Sequence, residues 1–254
     1  MSRPRPQTSA TSDAEPDLVV LLHGLARTRR SMRRLESRLR GEGWRTLNVG
    51  YPSTRRQPDE LVELLHHRLG PAVQVRPKAG DETAETRRAA PSVPPPSVHF
   101  VTHSLGGLLL RALLDRYEIP ALGRVVQLAP PNRGSEIVDR IGAWRAFGWI
   151  FGPTGRALGT GPGSLPSTLG VPAAEVGVIA GSRSINPLGS LLLPGAGDGA
   201  VTLARTRLGD GAEKDWIVLP LDHTTIMMRE EAARQTVHFL RHGRFDHAAK
   251  ESGG

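Results

Sequence analysis

Short apolar runs alternate with longer amphipathic stretches along the chain, and these two periods define its elements. Leu18-Val19-Val20-Leu21-Leu22 is apolar at every position, as expected of a strand buried on both faces. Residues 28–40 follow, with Met32, Leu35 and Leu39 at helical spacing and arginines between them, which predicts a helix with one buried stripe. The alternation continues. Further strands are predicted at 46–49, 98–101, 124–128, 176–180 and 216–219, and helices at 58–69, 105–117 and 228–241. Leu61, Leu64, Leu65 and Leu69 form one face of the second helix. Such alternation predicts an α/β fold, with a mostly parallel sheet of about six strands flanked by helices on both faces.

Two stretches break the rhythm. Residues 74–97 hold Pro, Ala, Arg and acidic residues and end in Pro94-Pro95-Pro96, which reads as a low-complexity loop insertion. Residues 133–172 are Gly-rich and carry Trp144, Phe147, Trp149 and Phe151, four of the 11 aromatic residues in the chain. So dense an aromatic cluster between two sheet strands predicts a small cap or lid over a cleft, with these four side chains lining a substrate pocket. Residues 1–16 are polar and Pro-rich and read as a disordered tail. The expected organisation is one domain over 17–243, followed by a C-terminal tail over 244–254.

Composition narrows the classes further. The chain has 254 residues and no cysteine, which excludes a disulfide scaffold and thiolate-held metal or iron–sulfur sites. No apolar run approaches the roughly 20 residues of a membrane span. No secretory signal pattern is evident, so the cytoplasm is the expected location. The net charge is +8, and all but Lys78, Lys214 and Lys250 of the 33 basic residues are arginine. Seven arginines fall between Arg27 and Arg40, which raises the question of a nucleic-acid or anionic-surface binder. No aromatic residues interleave with them for base stacking, and no nucleic-acid motif appears, so nucleic acid is not an expected partner. With Met32, Leu35 and Leu39 buried, the arginines line a solvent face. Arg27 and Arg29 are expected near the mouth of a cleft, where they would draw acidic substrates or an anionic membrane surface.

Candidate chemistry concentrates in three places. In Val101-Thr102-His103-Ser104-Leu105-Gly106-Gly107 a buried strand runs into a serine and straight on into a helix, the layout of a nucleophile elbow. Gly106 and Gly107 supply the room that such a turn requires, whereas Thr102 stands where the motif usually has glycine. The elbow offers the Leu105 N–H to a developing oxyanion. His23-Gly24-Leu25, at the end of the first strand, is placed to add the Leu25 N–H. A general base is expected late in the chain, and His223 lies just past the last strand, at the sheet edge where such sites gather. His103 is read as supporting structure. The acid that orients His223 should lie between Ser104 and His223. Asp198, in Gly197-Asp198-Gly199, is favoured over Asp222, which adjoins the histidine, and over Asp210 and Asp215, which are read as solvated.

These pieces, with Leu128-Ala129-Pro130-Pro131-Asn132-Arg133-Gly134-Ser135, resemble the α/β-hydrolase superfamily. The likeness is to its small bacterial lipase/esterase group and to GPI-inositol-deacylase-like hydrolases. It covers roughly residues 17–243 in the order Ser, Asp, His. The resemblance implies an α/β-hydrolase fold and Ser104, His223 and Asp198 as a catalytic triad. It also implies Leu25 and Leu105 as oxyanion donors and a lid reached through Pro130–Ser135. The expected activity is that of a serine carboxylic-ester hydrolase working through an acyl-enzyme on a small-molecule or lipid ester, with no cofactor and no metal. The same triad would serve a thioesterase, amidase or acyltransferase, and the sequence leaves these open, as it does the oligomeric state.

Overall fold

The computed structural model describes residues 15–78, 96–185 and 193–248. Most of the 1–16 tail and of the 74–97 insertion, and the end of the C-terminal tail, lie outside the described residues. The strands are β1 (Leu18–Leu22), β2 (Arg45–Val49), β3 (Arg76–Pro77), β4 (Val98–His103), β5 (Tyr117–Glu118), β6 (Leu122–Leu128), β7 (Val176–Gly181) and β8 (Asp215–Leu219). The helices are α1 (Arg33–Gly41), α2 (Pro58–Val73), α3 (Leu105–Arg116), α4 (Glu136–Ile141), α5 (Arg145–Arg156), α6 (Leu165–Thr168), α7 (Leu203–Thr206) and α8 (Glu230–His242).

Six strands form one sheet in the order β2-β1-β4-β6-β7-β8, and every pairing in it is parallel. The sheet divides the core in two. Leu18, Val20 and Leu22 of β1 enter one cluster with Leu61, Leu65, Leu108 and Leu109 from α2 and α3. Val19 and Leu21 enter the other with Leu35 and Leu39 of α1 and Phe239 and Leu240 of α8. A strand with period-two side chains must be apolar throughout to supply both clusters, and β1 is. Each fully buried leucine contributes about 1.5–3 kcal/mol relative to exposure.

Parallel strands direct all their C-terminal ends to one edge. His23 follows β1, Ser104 follows β4, Ala129 follows β6 and the loop leading to His223 follows β8. The chain steps outward from β1 to β2 and then back past β1 to β4, so the order reverses beside β1. That is where an open α/β sheet leaves a crevice.

The expected elements appear with shifted ends. The helix expected over 28–40 opens as a 3-10 turn, Arg29–Met32, beneath Thr28, whose hydroxyl accepts from the Arg30 N–H, before α1 begins. The described start of the 74–97 insertion is ordered: β3 pairs antiparallel with β5 and Val75 is buried. The packed body also runs past residue 243. Phe245 is buried against Phe239, with ring centroids 4.9 Å apart, and Asp246 accepts from Arg234 at 2.7 Å. Asp215, expected to be solvated, instead accepts from the Phe245 N–H at 2.7 Å and ties this segment to β8. Among the described residues, no helix is long and apolar enough to cross a membrane.

Candidate active site

Ser104 occupies the turn between β4 and α3 with φ 50° and ψ −121°, a left-handed backbone that a non-glycine residue adopts only under constraint. The constraint is visible in its neighbours. The Ser104 N–H donates to the Leu128 carbonyl at 2.9 Å, and the Gly107 N–H to the Ser104 carbonyl at 3.0 Å. A side chain at Gly106 would meet the Leu22 carbonyl oxygen at 2.6 Å, so only glycine lets α3 approach β1. Thr102, the departure from the usual elbow, is fully buried, and its hydroxyl would lie 3.3 Å from a Cβ at Gly107. The glycine on the helix leaves the room that the threonine fills.

The three candidate residues come together. Ser104 Oγ donates to His223 Nε2 at 3.0 Å, and His223 Nδ1 donates to Asp198 Oδ2 at 2.8 Å. Asp198 is held on every side: its Oδ1 accepts from the Ala200 and Val201 N–H groups at 3.0 and 2.9 Å, and its carbonyl accepts from the His223 N–H at 3.1 Å. Its side chain is fully buried, while that of His223 keeps a small opening to solvent. Gly181, at the end of β7, carries no local motif that marks it, yet a Cβ there would press within 2.8 Å of Asp198 Cβ. Asp222, the alternative acid, turns away from the site and caps the following turn through the Thr224 and Thr225 N–H groups.

His103 bridges the two sides of this site. Its Nε2 donates to the His223 carbonyl at 3.0 Å, and its Nδ1 lies 2.6 Å from where a Cβ on Gly24 would be. Burial above all, then the adjacent His223 and the charge of Arg27, hold His103 well below the usual histidine range, so it stays neutral and keeps its Nε2 proton to donate.

The loop after β1 is locked by a stack that sequence reading missed, because its partner lies 28 residues away. His23 and Tyr51 stack with centroids 4.0 Å apart. The Tyr51 N–H donates to His23 Nε2 at 3.2 Å, and His23 Nδ1 donates to the Gly24 carbonyl at 2.9 Å. The Tyr51 hydroxyl donates to the His23 carbonyl. Burial lowers the pKa of His23 and raises that of Tyr51, so both stay neutral in these roles. A trans peptide sets its C=O and N–H in opposite directions. Holding the Gly24 carbonyl on the His23 ring therefore turns the Leu25 N–H the other way. Leu105 is the first residue of α3, where N–H groups have no partner within the helix.

A cavity of about 480 Å³ opens over Ser104 and His223. Leu25, Ile137, Val138, Ile141, Phe147 and Leu158 make one side of it apolar, and most of these come from the cap. Of the four aromatics expected in the pocket, Phe147 and Phe151 line it, their rings 4.7 Å apart. Trp144 and Trp149 do not: they are 60% and 93% exposed on the outer face. Residues 147 and 151 are one turn apart and share a face of α5, whereas 149 falls on the opposite face and Trp144 precedes the helix with an extended backbone, φ −67° and ψ 135°. The cap is fastened at Ser135, whose hydroxyl donates to the Ala200 carbonyl at 2.8 Å. A second fastening is Arg111, which donates to the Leu169 and Gly170 carbonyls at 2.6 and 3.0 Å. Arg27 lines the cavity. Arg29, expected beside it, lies against Gly50 at the edge strand, where its carbonyl accepts from Asn48.

No protein-family model and no curated protein matches the sequence. Solved structures match in fold. The Bacillus licheniformis lipase BlEst2 in mature form aligns with a TM-score of 0.62 at 18% identity over 93% of this chain and 95% of that one. Phospholipase PlaB from Legionella pneumophila aligns with a TM-score of 0.62 at 17% identity, covering 89% of this chain and 57% of that one. The Pyrococcus furiosus esterase PF2001 aligns with a TM-score of 0.56 at 15% identity over 91% and 83%. Six parallel strands in this order, helices on both faces and a serine on the turn after β4 make the chain an α/β-hydrolase fold.

Proposed function

We propose that the protein is a serine hydrolase that cleaves carboxylic esters through an acyl-enzyme. The observation that carries this reading is the relay from Ser104 through His223 to Asp198, opening into an apolar cavity. Ser104 Oγ attacks the ester carbonyl while His223 Nε2 takes its proton. The carbonyl oxygen, now negative, rests on the Leu25 and Leu105 N–H groups, each contributing about 3–4 kcal/mol to lowering the barrier. His223 then protonates the departing alkoxide. A water molecule, deprotonated by His223, attacks the acyl group and releases Ser104. Asp198 holds the imidazole in the tautomer that leaves Nε2 free to accept.

The apolar wall supports medium or long acyl chains over acetyl. On the outer face of the cap, Trp144, Trp149 and Ile150 are exposed beside the exposed Arg140 and Arg145, which supports contact with an anionic lipid surface. The test is turnover of p-nitrophenyl esters from acetate to palmitate, with labelling by a fluorophosphonate probe, on the native protein and on Ser104→Ala. Ser104→Ala is expected to lose turnover by a factor on the order of 10⁵ and to lose labelling. Labelling that survives the substitution refutes Ser104 as nucleophile. Equal turnover across the ester series refutes the chain-length preference.

A further inference from the structure

Among the described residues, two charged side chains line the cavity over Ser104: Asp198 and Arg27. Asp198 is committed to His223 and to two backbone N–H groups. Arg27 has no ion pair and no hydrogen bond among the described residues. Of the other arginines around α1, Arg38 pairs with Glu42 and Arg40 with Glu36, while Arg29, Arg30, Arg33 and Arg34 are unpaired among the described residues, like Arg27, but do not line this cavity. Its backbone is placed by the turn before it. Ala26 takes a left-handed φ of 52°, and its N–H donates to the Ser53 hydroxyl at 3.1 Å. The side chain is half-buried in the wall of the cavity. An unneutralised guanidinium in a partly apolar wall attracts an anion, and its planar fork suits a carboxylate or a phosphate.

The position of Arg27 also says which half of an ester it faces. The base must reach the departing oxygen, so the alcohol half leaves past His223. Thr224, the next residue, and Arg27 both line the cavity. The charge of Arg27 bears on His103, the imidazole bonded to the His223 carbonyl. The apolar residues of α4 and α5 lie on the cap side, where an acyl chain is accommodated. We infer that Arg27 is a specificity residue that selects esters whose alcohol half carries an anionic group, a phosphate or a carboxylate. This rests on the ester-hydrolase reading of the same cavity.

The experiment compares decanoyl esters that differ only in charge: those of glycerol, of glycerol 3-phosphate and of a hydroxycarboxylate. An ester with its carboxylate at the far end of the acyl chain is added. In the native protein, kcat/KM for the two alcohol-side anions should exceed that for the glycerol ester by roughly tenfold, the size of one charge-assisted hydrogen bond. The ratio should fall toward one in Arg27→Gln, fall below one in Arg27→Glu, and survive in part in Arg27→Lys. If the ratio is the same in the native protein, Arg27→Gln and Arg27→Glu, or if the acyl-side anion is the preferred one, the inference is overturned. Binding of decyl phosphate against decanol to Ser104→Ala, measured by calorimetry with and without Arg27→Gln, separates the two readings. Arg27-dependent binding of decyl phosphate with no hydrolysis of any ester sinks the hydrolase and keeps the anion site. Hydrolysis with charge-blind binding and rates does the reverse.

Discussion

His103 shows how much a site can depend on a residue outside the Ser104–His223–Asp198 relay. Its single imidazole lies against Gly24 on one side and holds the His223 carbonyl on the other. The loop that carries the Leu25 N–H and the loop that carries His223 are thereby set against a common reference. Replacing His103 with leucine leaves the His223 carbonyl unpaired and frees that loop. The lost hydrogen bond is worth about 1–3 kcal/mol, so kcat should fall by roughly 10- to 100-fold. His103→Gln keeps an N–H at a similar reach and should recover most of the loss. Because His103 is neutral throughout, neither change should move the pH at which kcat half-rises. A shift in that pH would show that His103 itself takes part in proton transfer, and full activity in His103→Leu would show that it positions nothing. His103 was readable as a supporting residue from its place beside Ser104. Its bond to a carbonyl 120 positions away was not, because no local period encodes it.

At the scale of elements, the strands and helices were legible because their periods are clean, and Ser104, His223 and Asp198 were legible as candidates because each follows a strand. The cap was legible only as an aromatic-rich interruption. The reason lies in α5, which is two helical pieces joined at Gly152, with φ 66° and ψ −166°. A periodicity argument assumes one axis, and the kink ends that axis between Phe151 and Pro153. Gly152 is also where the cap meets the body. A Cβ there would fall 1.7 Å from the Thr54 carbonyl oxygen, and Thr154 Oγ1 donates to the Arg56 carbonyl at 2.6 Å. Gly152→Ala adds a positive-φ penalty of about 1–2 kcal/mol to a contact that only backbone movement relieves. It should lower Tm by at least about 2–4 °C. It should also raise KM for long-chain esters, since Phe147 and Phe151 ride on the displaced half. Gly161, in the same cap but with nothing within 4 Å, is the control: Gly161→Ala should leave Tm unchanged or raise it. Equal Tm for Gly152→Ala and the native protein would dismiss the kink as a fastening.

For the whole molecule, the excess of arginine suggests a protein governed by its basic charge, yet much of that charge is paired across the surface. Arg45 meets Glu15, Arg124 meets Glu175, and Arg205 meets Glu136. The titration that matters for stability is instead buried. His23, His99 and His103 all lie inside the fold, and desolvation is the leading cause that lowers each pKa below the ordinary value of 6.5. His99 is part of the sheet's far edge, where its Nδ1 accepts from the Arg124 N–H at 2.8 Å and so cannot carry a proton without breaking that bond. The sign of the linkage follows. Between the lowered folded values and 6.5 the unfolded chain binds protons that the folded chain refuses. Stability is therefore complete above about pH 6.5 and is lost as the pH falls below it, by up to about 1.4 kcal/mol per pH unit for each group. Glu175, whose pKa is lowered chiefly by its hydrogen bond to Arg124, adds its loss only further down, below the usual carboxylate range, so the window from pH 6.5 to 5 belongs to the histidines. Urea unfolding at pH 8, 7, 6 and 5 should give a plateau and then a decline steeper than one proton. His99→Asn, which retains an acceptor for Arg124 far from the cavity, should take about one proton out of that slope. A free energy of unfolding that stays flat from pH 7 to pH 5 would mean that these imidazoles take up protons inside the fold, and that the neutral roles given to His23 and His103 around Ser104 fail with it.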